Sequence, residues 1–392
     1  MPGDGRPSSG RAALAANLAV GLIGLALIAL AIAAGRTWAD GHFLPTFAWP
    51  RSFQIGLLQA LRAMVAALGL AVLLFVRPRV ARAVAAGKGR ALLISTLSAS
   101  LAVIAAFAAT EAILHTGAWH ANQERWGDRE PLRRRDALLG WTFVPNHLGR
   151  RIVEGRRIDY ATDAFGYRVR AARAELDFDR PTVVFAGESI MFGYRLPWEE
   201  TIAARVEAMT GLQAANLSVN AFATDQTYLR LRGELPRFRR PVAVVVPFVP
   251  MLFDRNLDAD RPHLDAGLHW QPGRPPPLRL VELARRLLRY RSEESIAQGV
   301  ATTQSVLRAT IALARSRGAA TLIVVPQFQP EDPSERAIRQ RILDAAHLPY
   351  LLVPLDPAWR LAIDRHPDAR GAEAIAAAIA RALAERIGPG SS

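Results

Sequence analysis

The sequence predicts an α/β domain, a parallel sheet covered on both faces, set behind three membrane-spanning helices. Two observations predict it. Apolar residues make up 51% of the 392-residue chain, and the excess is concentrated in the first 114. Beyond them, five short apolar runs alternate with amphipathic stretches of helical period, the pattern of strands buried on both sides. The chain has no cysteine, which excludes disulfides, thiol catalysis and cysteine-ligated metal.

Residues 12–35, AALAANLAVGLIGLALIALAIAAG, contain Asn17 as their only polar side chain. They exceed the roughly 20 residues needed to cross the hydrocarbon core, and the apolar region of a cleaved signal peptide, about 7–15 residues. A second apolar segment, 53–76, contains Gln54, Gln59 and Arg62, and a third, 91–114, contains several Ser and Thr and ends at TEAIL. Alone, each could be a buried globular helix. Together, at even spacing, the three read as a membrane anchor over 1–114. Arg62 falls in the outer half of its span and Glu111 near the outer end of its own. An ionisable residue in a span is a functional suspect by default; the alternatives are that each snorkels to the interface or that the two pair across adjacent helices.

The charge pattern orients the anchor. The formal net charge is +14, and Lys88 is the only lysine. The segment RPRVARAVAAGKGR, 77–90, holds five basic residues and no acid, which places it in the cytoplasm. Loop 36–52 is rich in Trp and Phe, as an interfacial segment on the opposite side would be. The N-terminus then lies inside, and the chain from about residue 115 is extracytoplasmic, on the periplasmic face of an inner membrane. Arginines elsewhere are interspersed with acids, as in DREPLRRRD and RSEES, with no basic stripe, so nucleic acid is not an expected partner.

After the anchor, residues 115–180 read as a polar, Arg-rich connector, with RRIVEGRRIDYATD as a hairpin. The domain proper spans 181–388. Its apolar runs are TVVFAG (182–187), AANLSV (214–219), VAVVVPFV (242–249), ATLIVVPQF (320–328) and YLLVPL (350–355). Helical patterns lie between or after them: EETIAARVEAM, TDQTYLRLRGEL, SIAQGVATTQSVLRATIALARSRG, ERAIRQRILDAA and ARGAEAIAAAIARALAERIG. An insertion at about 255–292 reads as an irregular loop or lid. No internal repeat is evident. In such open sheets the site lies at the carboxyl ends of the strands.

Ser189 follows the first strand within two residues, after Gly187, which permits a sharp strand-to-helix turn. A serine there either caps the next helix or presents a nucleophilic hydroxyl with its own N–H left to bind an oxyanion. Asp364 and His366 stand after the last strand, just before the last helix. Of eight histidines, His366 alone has a carboxylate two residues away in a strand-end loop. It can serve as base to the serine, with Asp364 holding its tautomer; the alternative is a surface His–Asp hydrogen bond.

GESIMFG followed by LPWEET, then NLSVNAFATDQ, then DRHPDARG resembles the SGNH, or GDSL-type, hydrolases in order and spacing. The resemblance runs from about 140, through LGWTFVPN and TDAFGYR, to 385. It implies a three-layer α/β/α, flavodoxin-like fold, with Ser189 as nucleophile, His366 as base and Asp364 orienting it. It implies no metal or cofactor. Glu188 replaces the family's aspartate, and Ala221 stands at the oxyanion glycine. After VAVVVPFV the family presents an asparagine to the oxyanion, where this chain reads PMLFDRN. Asn220 and Asn256 are the substitutes at hand. Family members are esterases, lipases and carbohydrate deacetylases, and some relatives transfer acyl groups.

The expectation is therefore a membrane-anchored extracytoplasmic serine esterase acting on O-acyl (acetyl) esters of an envelope polysaccharide. The alternatives are an O-acyltransferase with the same triad, a lipid esterase, or a degenerate glycan-binding scaffold of polysaccharide machinery. Trp119, Trp126 and Trp270 are candidates to stack on sugars or to lie at the membrane interface.

Overall fold

The computed structural model describes residues 7–46, 49–115, 130–274, 278–362 and 364–387. They form two compact units, Met1–Phe43 with Trp49–Trp119 and Leu278–Tyr290, and Leu44–Ala48 with His120–Pro277 and Arg291–Ser392.

The first unit contains α1 (Pro7–Ala33), α2 (Arg36–His42), α3 (Arg51–Ala71), α4 (Arg77–Ala85), α5 (Gly89–His115) and, from much later in the chain, α9 (Arg279–Leu288). Three helical stretches are long and apolar enough to cross a membrane: Gly10–Ala33, Arg51–Ala85 and Gly89–His115. The helices α1 and α3 touch backbone to backbone at two glycines. A Cβ on Gly69 would lie 2.8 Å from the Gly24 carbonyl oxygen, the small-residue contact that brings spans together. The basic segment 77–90, expected as a loop, is helical through Ala85, because a π turn at Val72–Val76 absorbs the N–H that Pro78 lacks. Arg62 and Glu111 do not pair with each other. The Arg62 Nε donates to the Ala31 carbonyl at 2.9 Å, in the last turn of α1, and Glu111 accepts from the N–H groups of Arg279 and Leu280 at the start of α9. Each charge complements a helix end of opposite partial charge.

The second unit is built on a sheet whose order is β12-β11-β8-β6-β7-β5-β4-β3. The parallel part comprises β6 (Thr182–Phe185), β7 (Gln213–Asn216), β8 (Pro241–Pro247), β11 (Ala320–Phe328) and β12 (Leu351–Leu355). In chain order these strands lie 2-1-3-4-5, the flavodoxin-like arrangement, with its switch point between β6 and β8. Side chains alternate across the sheet. Val183, Phe185, Val245 and Val324 pack on one face with Ile202, Val206, Ile375 and Ile379, from α7 (Ile202–Thr210) and α12 (Ala369–Ile387). Val184, Val244, Val246 and Ile323 pack on the other with Leu231, Val300 and Leu307, from α8 (Thr224–Glu234) and α10 (Glu293–Ser316). The three-layer fold follows from that alternation.

The stretch expected as a connector is folded. It supplies β1 (Arg133–Asp136) and β2 (Gly140–Phe143), which pair as a separate two-stranded sheet, and β3 (Leu148–Val153), β4 (Arg156–Thr162) and β5 (Arg168–Val169), which extend the main sheet. The predicted hairpin is β3–β4, and β5 extends the sheet antiparallel from β7. The expected loop at 255–292 instead holds the short hairpin β9 (His263–Leu264) and β10 (Trp270–Gln271), and the helix α9. Polar spacing hid the wing, because its strands carry arginines at positions that a core strand would fill with aliphatics.

One of those arginines fixes the geometry that follows. Arg168 pairs in register with Asn216 and is 1% exposed. Its guanidinium donates to the carbonyls of Phe192, Gly193 and Leu196 at 2.8, 2.6 and 2.5 Å, and lies over the rings of Phe192 and Tyr160. Burial pulls the group down to about 10, partly offset by the Glu199 carboxylate, so it remains a cation at neutral pH. Arg168→Met should cost roughly 3 kcal/mol of stability, through the loss of three charge-assisted hydrogen bonds to buried carbonyls. Arg168→Lys should recover only part, since one ammonium cannot span three acceptors. Chemical denaturation of the detergent-solubilised chain measures both.

Candidate active site

β6 ends at Phe185, and the chain turns sharply into the short helix α6 (Ser189–Phe192). Gly187 is required there for space: a Cβ would lie 2.6 Å from Pro247 Cδ and 3.0 Å from Met191 Cβ. The helix cap is Glu188, whose Oε2 accepts the Ile190 N–H at 2.9 Å. Ser189 is therefore not the cap, and its hydroxyl is left for other work. The αL residue Gly193 (φ 74°) closes the turn, and Asn216 Nδ2 donates to the Met191 carbonyl at 3.2 Å, beside the Arg168 contacts.

The structure brings Ser189, His366 and Asp364 together. Ser189 Oγ lies 2.8 Å from His366 Nε2, across 177 residues of sequence. His366 Nδ1 lies 2.9 Å from Asp364 Oδ1, and the same oxygen accepts the His366 backbone N–H at 2.9 Å. Two residues of spacing thus suffice for the carboxylate to reach both the ring and the main chain. A carboxylate beside Nδ1 holds the ring proton there and leaves Nε2 as acceptor toward the serine. The hydroxyl has a second neighbour, Glu188 Oε2, also at 2.8 Å. Its single proton can point to either.

Burial alone would raise the Asp364 carboxyl. Hydrogen bonds and charge from His366, with Arg195 behind them, hold it below its usual value. It is ionised at neutral pH, and its contribution is lost only as pH falls through that lowered value.

Arg195, missed in the sequence, lies with Nε 2.8 Å from Asp364 Oδ2. It is held at φ 68° and its N–H donates to Tyr160 Oη at 3.0 Å. Tyr194 beside it takes a hydrogen bond from Arg151 at 2.6 Å and stands edge-on to His366 at 5.4 Å. Arg151, Tyr160 and Arg168 all come from the antiparallel wing. A signal for two of these residues was present: Phe-Gly-Tyr-Arg occurs at 165–168 and again at 192–195. Both glycines have positive φ, 73° and 74°. In each copy the arginine turns inward, to carbonyls or to Asp364.

The oxyanion candidates lie in the neighbouring turn, since the Val219 N–H donates to the Gly187 carbonyl at 3.0 Å. Ala221 has φ 67°, the left-handed backbone of a glycine, a strained conformation of the kind found at functional sites. The Asn220 carbonyl accepts from Trp141 Nε1 at 3.1 Å, and its side-chain oxygen is buried with no partner. Asn256 is committed elsewhere. It accepts from the Thr224 N–H at 3.0 Å and donates to Thr303 at 2.8 Å, so it is not a spare donor. The segment after β8 is the 3₁₀ helix Pro250–Leu257. With Glu188 and Val249 it bounds a shallow hollow. A second is bounded by Ser189, Tyr194, Leu196 and His366.

Trp270 is 40% exposed and donates Nε1 to the Leu138 carbonyl at 3.0 Å. Trp119 and Trp126 lie outside the described residues.

The arrangement can move the Ser189 proton to His366, stabilise the imidazolium by Asp364, and offer the N–H groups of Ser189 and Ala221 to an oxyanion. Arg195 acts through Asp364. Removing its positive charge should move the acid limb of an esterase pH profile upward by roughly half a unit to one unit. Arg195→Met should also lower kcat about tenfold by loosening the carboxylate. Arg195→Lys should restore the profile, as a merely structural defect would not. Steady-state rates on a p-nitrophenyl ester across pH measure this.

No protein-family model matches the sequence, and no curated protein does. Solved structures do. A carbohydrate acetylesterase from Sinorhizobium meliloti is similar over 53% of this chain and 100% of its own, at 12% identity and TM-score 0.35. A psychrotrophic esterase from a Pseudoalteromonas species is similar over 53% and 98%, at 10% identity and TM-score 0.33. A member of the lipolytic G-D-S-L family from Veillonella parvula is similar over 54% and 99%, at 12% identity and TM-score 0.32.

Proposed function

We propose that the chain is a membrane-anchored serine esterase that cleaves O-acyl, chiefly acetyl, esters of an envelope polysaccharide. The observation that carries the reading is the row Ser189–His366–Asp364, with Oγ–Nε2 and Nδ1–Oδ1 distances of 2.8 and 2.9 Å. Ser189 Oγ attacks the ester carbonyl as its proton passes to His366 Nε2. The carbonyl oxygen, now an anion, faces the N–H groups of Ser189 and Ala221. Collapse expels the sugar alcohol, which takes the proton from His366 and leaves an acyl-serine. Water then attacks, gives a proton to His366, and the acid departs as that proton returns to Ser189.

Three apolar helices anchor the chain, and the basic 77–90 segment supports a cytoplasmic N-terminus with the sheet unit outside. Substrates there are envelope glycans. A glycan-binding protein without chemistry is the second reading, favoured by one observation: Asn256, the asparagine of the segment after β8, is spent on Thr224 and Thr303, which leaves a third oxyanion donor unassigned. Losing such a donor costs about 10²–10³ in rate.

The test is acetate release from an O-acetylated polysaccharide by the full chain in detergent. Release is expected from the wild type, and Ser189→Ala or His366→Ala should reduce it by on the order of 10⁴ or more. Acetyl transfer to an added glycan, with little free acetate, would identify a transferase using the same residues. Glycan binding with neither product would establish the second reading.

A further inference from the structure

The helix α9 belongs to the same compact unit as the three spans, although about 160 residues separate it from α5. Both of its ends are held at the ends of spans. Its first N–H groups, on Arg279 and Leu280, donate to the two carboxylate oxygens of Glu111 at 2.5 and 2.9 Å, in the last turns of α5. At its other end, the Leu288 carbonyl accepts from Gln54 Nε2 at 3.3 Å, in the first turn of α3. Ten residues of helix measure about 15 Å, so α9 bridges two neighbouring spans across the same end of the bundle.

That end also carries the aromatic residues expected at a membrane–water boundary. Tyr290, directly after the helix, lies within 6.0 Å of Trp38 and His42 and 5.5 Å of Phe43, ring centre to ring centre. Trp49 stacks on Phe53 at 5.2 Å close by in sequence. The sequence of α9, RLVELARRLL, has the period of a surface helix. At about 100° per residue its leucines and valine fall on one arc, and its arginines and glutamate on the other. The apolar arc is not fully covered: Val281 is 41% exposed and Ala284 is exposed beside it, while Arg279 on the opposite arc is buried.

An exposed apolar edge on a helix tied to the ends of two spans, at the level of an aromatic belt, matches the surface of a phospholipid bilayer. We propose that α9 lies in the headgroup layer of the bilayer that the spans cross, with Val281 and Ala284 turned toward the acyl chains. Glu111 is the post that holds it, a carboxylate fixed on a span and spent on two helix N–H groups. The chain thus enters the membrane unit a second time, through the insertion. This inference does not depend on the esterase reading.

The absence of cysteine makes the test direct. Val281→Cys in the full chain is labelled with bimane and reconstituted in phosphatidylcholine vesicles. Arg239→Cys, on the sheet unit, serves as the aqueous reference. Brominated phosphatidylcholine should quench the label at 281 roughly threefold more than the reference, and iodide on both sides of the membrane the reverse. Adding Glu111→Ala should bring the 281 label to the reference value as the helix detaches. A label at 281 quenched by iodide and not by brominated lipid would overturn the proposal. Lipid quenching unchanged by Glu111→Ala would overturn the role of Glu111.

Discussion

A helix of four residues leaves most of its carbonyls without intrahelical partners, and α6, which begins with Ser189, is such a helix. The chain needs it short, because only an abrupt turn at the end of β6 lifts a hydroxyl out of the sheet while keeping its own N–H beside it. The carbonyls of Met191, Phe192, Gly193 and Leu196 therefore point into the protein. Arg168 and Asn216, cross-strand neighbours on β5 and β7, take them up. A full cation buried without a touching carboxylate would ordinarily be costly. Here the partial negative charge at a helix C-terminus, multiplied over three oxygens, stands in for the counter-ion.

From that fixed turn the rest of the site is assembled outward. Tyr194 and Arg195 continue from it directly. One stands edge-on to the imidazole, and the other reaches the far oxygen of Asp364. Asp364 thus answers to two partners, an imidazole and a guanidinium. Its pairing with Arg195 holds it in place and ionised, but a carboxylate shared with a guanidinium stabilises an imidazolium less than an unshared one would. The arrangement trades some driving force for position. Glu188 makes a similar compromise, capping the helix while offering the Ser189 proton a resting acceptor beside His366.

The parallel half of the sheet was legible because its strands are continuous apolar runs, and each predicted run falls on an observed strand. Ser189 and His366 could be singled out because both sit at strand ends, where open sheets keep their chemistry. The wing was not. Strands such as LGRRIV and RRIDYAT alternate arginine with aliphatic residues, and composition alone reads them as linker. The role of Arg195 was hidden for a different reason: nothing local links it to a carboxylate 169 positions later, and only the repeated Phe-Gly-Tyr-Arg hints that this arginine turns inward. The third oxyanion donor was sought at Asn256, but that side chain is spent on Thr224 and Thr303, a packing role that spacing cannot distinguish from a catalytic one.

The central claim is that the fold makes Ser189 nucleophilic through His366. Mass spectrometry of the full, folded chain after treatment with a fluorophosphonate tests it most directly, since phosphonylation with loss of fluoride needs an activated hydroxyl and no knowledge of the substrate. The account predicts one adduct, on Ser189, absent from Ser189→Ala and greatly slowed in His366→Ala. A folded chain with no adduct, or one labelled equally fast without the histidine, would contradict it.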